Sequence, residues 1–296
     1  MRIVFTLLLS FFILSSTAFA RMRVVTTYPY IADIVEKIGK GKVSVRALAR
    51  GNRDPHHIVP RPSLIMKLRR ADLFIINGAE IEIGWVPPLL RDSRNANIQP
   101  GRSGFVDLSV HVKLIQVPDK VSRAQGDIHP AGNPHFNLNP ENVLIMARVI
   151  MKKLCELDGS HCSFYRGNYA DFKGLWQSKI SQWKEALKPL KGVRVVQYHR
   201  SHDYFLIFFG IVSAGELEPL PGIPPTSRHI LKIIQKVKNR NVKFILQDVY
   251  HSVGPSRFVA DRTNARVLVL PHDVRAMDEA DDIVSLYDEI VRRLTR

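Results

Sequence analysis

The chain has 296 residues, a formal net charge of +16 from 43 Lys and Arg against 27 Asp and Glu, and only 2 cysteines. That length holds two ordinary lobes with their own cores, and beyond residue 20 no apolar run is long enough to cross a bilayer. The basic excess raises nucleic acid as a partner, but no Lys/Arg block interleaved with aromatics and no nucleic-acid fold signature goes with it. A diffuse positive surface drawn to anionic head groups or an acidic partner is the simpler expectation.

Residues 1–20 read as an export signal: Arg2, an apolar run from Ile3 to Leu14 broken only by Thr6 and Ser10, then small residues ending in Ala18-Phe19-Ala20. Cleavage there starts the mature chain at Arg21 and leaves a net charge of +15, since Arg2 is the one charged residue removed. No cysteine adjoins the cleavage site, so a soluble periplasmic protein without a lipid anchor is expected.

From Arg21 onward, short β-branched runs alternate with helical patterns, the signature of α/β lobes with mainly parallel sheets. Strands are expected at Arg23 to Thr27, Val43 to Leu48, Leu73 to Ile76, Arg194 to Tyr198, Ile211 to Ala214, Val242 to Gln247 and Val267 to Leu270. Helices are expected at Ile31 to Ile38, Ser63 to Arg70, Ser227 to Lys238 and Ile283 to Leu294, and another opens at the Asn139-Pro140 cap and runs to about Leu154. Ser109 to Gly132 is poorest in regular pattern and reads as a loop. Cys155 and Cys162 fit a local disulfide in an oxidising compartment; a Cys/His metal cluster with His161 lacks a second ligand pair.

Between the two halves, Tyr165, Tyr169, Phe172, Trp176, Ile180, Trp183 and Leu187 recur at steps of three and four. That stripe predicts one long helix over Ser163 to Lys188, about 39 Å at 1.5 Å per residue. The resulting organisation is a signal over 1–20, an N-terminal lobe over 21–162, a connecting helix over 163–190 and a C-terminal lobe over 191–296.

Two histidines sit behind prolines in loops, in Asp54-Pro55-His56 and Asn133-Pro134-His135. Neutral imidazole suits zinc and its transition-series neighbours, and ligands from distant loops let one ion tie two lobes together. Further motifs go with them: Pro60-Arg61-Pro62-Ser63, Asn77-Gly78-Ala79-Glu80-Ile81-Glu82, Gly126-Asp127-Ile128-His129-Pro130, Tyr198-His199 and Pro221-Gly222-Ile223-Pro224-Pro225. With these, the mature chain resembles the solute-binding receptors of ABC-type zinc and manganese importers.

The resemblance implies a metal site in the cleft between lobes, with His56, His135, His199 and Asp273 as ligands. It implies Zn2+ as the transported ion, with Mn2+ as the other choice, and a membrane permease as partner to a monomeric, non-catalytic receptor. The terminal Pro271-His272-Asp273 lacks the family's usual glycine, so His272 competes with Asp273 for the fourth position. Asn133, Asn137 and Asn139 replace residues that are acidic or aromatic in many members, which is expected to weaken support for His135. The histidine-rich acidic loop of many zinc-dedicated members is missing.

Of the other histidines, His129 is the best placed for an extra ligand or relay, and His202 shares a helical face with His199. His57 is expected to point away, and His161, His229 and His251 to be surface or capping residues. Glu80 and Glu82 are assigned to a strand-to-helix loop. Two other functions compete: a zinc hydrolase with an open water position, which no His-Glu-x-x-His or Gly-x-Ser-x-Gly signature supports, and a polyanion-binding surface protein.

Overall fold

A computed structural model describes residues 21–120, 126 and 129–296. The signal expected over 1–20 and part of the expected loop, 121–125 and 127–128, lie outside the described residues. Among the described residues no helix is long and apolar enough to cross a membrane.

Two four-stranded parallel sheets form the framework. The first contains β1 (Met22–Thr26), β2 (Val43–Ala47), β3 (Leu73–Ile76) and β4 (Phe105–Asp107) in the order β2-β1-β3-β4. The second repeats that order as β6-β5-β7-β8, with β5 (Arg194–Gln197), β6 (Val212–Glu216), β7 (Phe244–Asp248) and β8 (Arg266–Leu270). Parallel strands need crossovers, and helices supply them: α1 (Pro29–Gly39), α2 (Pro62–Arg69) and α3 (Val86–Ser93) in the first lobe, α6 (Asp203–Phe209), α7 (Ser227–Asn239) and α8 (Gly254–Ala260) in the second. In each sheet the strand order reverses beside its first strand. That reversal opens a crevice at the carboxyl ends of the strands.

Between the lobes run α4 (Pro140–Leu157) and α5 (Cys162–Leu187), and the chain ends in α9 (Ile283–Thr295). The aromatic stripe of α5 is largely buried, and its polar edges are bonded to both sides. Asn168 donates to the Ile38 carbonyl at 2.9 Å and Trp176 Nε1 to the Pro140 carbonyl at 2.8 Å, while Trp183 Nε1 donates to Asp288 Oδ1 at 2.8 Å. Trp176, Trp183 and Tyr287 of α9 pack ring to ring, with centroids 4.9 to 5.1 Å apart. The main apolar core therefore passes from α1 and α4 through α5 into α9 without a break, and a second core lies between the second sheet and α7 and α8. Cys155 and Cys162 are disulfide-bonded across the turn between α4 and α5.

Every strand expected from the sequence is present within two residues at each end. β4 was not expected, because three residues after Gly104 give no run to read. The sheets are wholly parallel among the described strands.

Candidate metal centre

Three of the four expected ligands meet. His56 lies in the loop after β2, His135 just before α4, and His199 two residues past the end of β5. Each of the three offers a ring nitrogen within 4.8 Å of the other two. Their ring centroids form an equilateral triangle with 5.3 Å sides, each pair edge to face. His135 Nε2 and His199 Nε2 are 3.3 Å apart, which matches the edge of a tetrahedron whose metal–nitrogen bonds are about 2.0–2.1 Å.

Supporting groups fix how the rings face. Tyr28 donates its hydroxyl to the Pro55 carbonyl at 2.8 Å and so holds the loop carrying His56. Asp54 Oδ1 accepts from the His56 amide and contacts His56 Nδ1, both at 2.9 Å. Glu218 Oε2 lies 2.7 Å from His199 Nδ1. In both pairs the carboxylate accepts a hydrogen bond from Nδ1–H, leaving Nε2 as the lone-pair donor, the arrangement that orients and strengthens metal-binding imidazole. Burial would raise Asp54 and Glu218, but His56 beside the first, and His199 with His251 beside the second, outweigh it and hold each carboxyl down at about 2. Burial, with the neighbouring imidazoles adding to it, pushes His135 well below the ordinary histidine range, so its nitrogen is free of a proton at neutral pH.

Asp273, expected as the fourth ligand, is not among the residues whose ligand atoms lie within 4.8 Å of one another. It follows β8, is 5 % exposed, and its Oδ1 accepts from the amide of Tyr30 at 2.8 Å and from that of Val274 at 2.6 Å. Tyr30 belongs to the first lobe and Asp273 to the second, so this carboxylate ties the lobes together at the start of α1. Burial pushes its carboxyl up to about 8, against the lowering effect of those two amides. His272 is also elsewhere, with Nε2 3.2 Å from the Arg53 carbonyl.

Asn133 and Asn137 have structural work that the sequence did not disclose, and Asn139 is the helix cap expected of it. Asn133 Oδ1 accepts from the His135 amide at 2.9 Å, while its Nδ2 donates to the Arg200 carbonyl at 3.1 Å, so it steadies His135 and reaches across to the other lobe. Asn137 donates to the His272 carbonyl at 3.2 Å, and Asn139 caps α4 by accepting from the Glu141 amide at 2.8 Å. Support for His135 is therefore not lost at Asn133, whose oxygen holds the His135 amide directly.

The remaining histidines divide. His57 is exposed, as expected. His202 is buried beside Asp248 at 3.7 Å and is not one of the three imidazoles that meet. His251 is not a surface residue: Nε2 lies 3.6 Å from Glu218 Oε1 and Nδ1 3.5 Å from Asp248 Oδ2, and its ring stacks on Tyr198 at 4.0 Å. Burial would lower its imidazolium, but the two carboxylates outweigh that and raise it to about 9. Glu82 does serve its loop, accepting from the Asn77 and Gly78 amides at 2.8 and 3.0 Å. Sequence reading missed Glu218 altogether. Its only signal was position, just after a strand of the second sheet and before the Pro-Gly-Ile-Pro-Pro segment.

A family model described as ZnuA, zinc-uptake complex component A periplasmic, matches residues 24–296. Among curated relatives, the metal ABC transporter substrate-binding lipoprotein FimA of Streptococcus parasanguinis is 28% identical over 84% of this chain and 79% of its own length. The manganese ABC transporter substrate-binding lipoprotein PsaA of Streptococcus pneumoniae is 26% identical over the same shares. Both relatives are named as lipoproteins, so the expected absence of a lipid anchor is not borne out. In structure, the chain is similar to ZnuA (TM-score 0.78, 22% identity, 93% of this chain and 98% of the other). It is also similar to a Mn-bound periplasmic metal binding protein from Candidatus Liberibacter asiaticus (TM-score 0.77, 22% identity, the same shares). The chain therefore belongs to the ZnuA family of zinc-uptake periplasmic components, the extracytoplasmic, non-enzymatic solute-binding receptors of metal ABC importers.

Proposed function

We propose that this chain is a periplasmic receptor that captures one Zn2+ between its lobes, 21–162 and 191–296, and presents it to the permease of a metal importer. The observation that carries the reading is the 3.3 Å separation of His135 Nε2 and His199 Nε2 within a triangle of three imidazoles. Those nitrogens come from both lobes, so the cation binds only the assembled cleft. Three neutral nitrogens favour zinc over manganese, which prefers carboxylate and carbonyl oxygen. The chain acts as a monomer, and its positive charge supports loose contact with anionic head groups near the permease.

Isothermal titration of chelator-stripped protein should give one Zn2+ per chain, and His135→Ala should lose most of the affinity. Undiminished binding by that variant would remove the proposal.

A further inference from the structure

A fourth imidazole stands at the edge of the same cavity. His129 stacks on His56 with ring centroids 5.2 Å apart, and it lines a cavity of about 320 Å³ with His135, His199, Asn133, Gln116 and Arg200. Its Nε2 is buried and has no hydrogen-bond partner among the described residues. A buried imidazole nitrogen without a partner is uncommon, because leaving it so forfeits the bond that water would have made.

The backbone that carries His129 is a built turn. The Gly132 amide donates to the His129 carbonyl at 3.0 Å, and the Asn133 amide to the Ile115 carbonyl at 2.9 Å. Gly132 has φ of +116°, and a Cβ there would meet the Ile115 oxygen at 2.7 Å, so only glycine closes this turn so tightly. His135 follows His129 by six positions, and the Asn133 side chain holds the His135 amide at the end of that stretch. One short segment thus presents two imidazoles to one cavity.

Among the described residues, three carboxylates around the cleft already have partners. Asp54 and Glu218 face ring Nδ1 atoms, and Asp273 Oδ1 accepts two amides. We infer that His129 is the fourth ligand of the cation, completing an all-imidazole set in place of the expected carboxylate. The ring leaves its stack on His56 and turns Nε2 onto an ion held by the other three. Four nitrogens without a carboxylate make the site specific for zinc and its nitrogen-preferring neighbours, and hostile to manganese. This inference rests on the metal-receptor reading above.

The test uses the full mature chain stripped of metal and titrated with Zn2+ alone and with Co2+ alone. His129→Ala should weaken Zn2+ binding by about tenfold or more and change the visible bands of the Co2+ form, since water replaces a nitrogen. Asp273→Asn should leave the Co2+ spectrum unchanged, and His129→Asp should narrow the preference for Zn2+ over Mn2+. A far-ultraviolet spectrum and melting curve matching wild type confirm that the His129 variants are folded. If His135→Ala abolishes binding while His129→Ala keeps the wild-type affinity and spectrum, this inference fails and the receptor reading stands. If Asp273→Asn alters the Co2+ bands as His129→Ala was expected to, the carboxylate is the fourth ligand and the inference fails likewise. Undiminished binding by His135→Ala overturns both.

Discussion

His56 and His199 are each served by a carboxylate on the ring nitrogen that faces away from the cavity. Glu218→Gln and Asp54→Asn should therefore weaken Zn2+ binding by about 10–100-fold without changing the one-to-one stoichiometry, as competition titration against a chelator would show. Asp273 bears on stability instead. Burial raises it to about 8 and Asp33 to about 6, so between the ordinary carboxyl value near 4 and those figures the folded chain holds protons that the unfolded chain gives up. Both groups make the metal-free protein less stable as pH rises across that window, from full effect below about 4 to loss at about 6 and 8. The buried neutral histidines act in the opposite sense below about pH 6.5. Asp273→Asn should flatten the fall in urea stability between pH 5 and pH 8; an unaltered slope would show that this carboxyl does not carry it. His56 and His135 were legible because each follows a proline in a loop, where a histidine has few structural uses, whereas His199 was legible only through the resemblance carried by Tyr198-His199. Glu218 and His251 were not, because what defines them is a chain of side-chain contacts spanning residues 199 to 251.

α5 was readable nearly to the residue, since seven large apolar residues at helical spacing leave no other period open. β4 and α6 were not, being three and seven residues long, too short for a period to show. Gly167 and Gly174 lie inside α5, and a Cβ built on either meets nothing within 4 Å. Changing each to alanine should stabilise the protein by roughly 0.4–1 kcal/mol, seen as a higher denaturation midpoint. The Cys155–Cys162 bridge closes a loop with a sequence separation of 7. Replacing both cysteines with serine should cost about 2 kcal/mol by loop entropy and leave metal binding as it was.

Across the whole molecule, the lobes share one apolar core through α4, α5 and α9, and polar ties reinforce it at the cleft. Gly51 approaches Val274 so closely that a Cβ would lie 1.9 Å from the Val274 oxygen, and Lys37 of α1 pairs with Asp282 at the start of α9 at 2.7 Å. Wide opening would break that core, so release has to come from small shifts of the ligand loops. The radius of gyration in solution should change little on adding Zn2+; a large contraction would mean that the lobes close like a hinge. The account depends most on one cation being held by imidazoles of both lobes. Diffraction from zinc-loaded crystals, recorded on both sides of the zinc absorption edge, should place a single anomalous peak about 2.0–2.1 Å from Nε2 of His56, His135 and His199. A peak elsewhere, or none at that point in fully loaded protein, would contradict it.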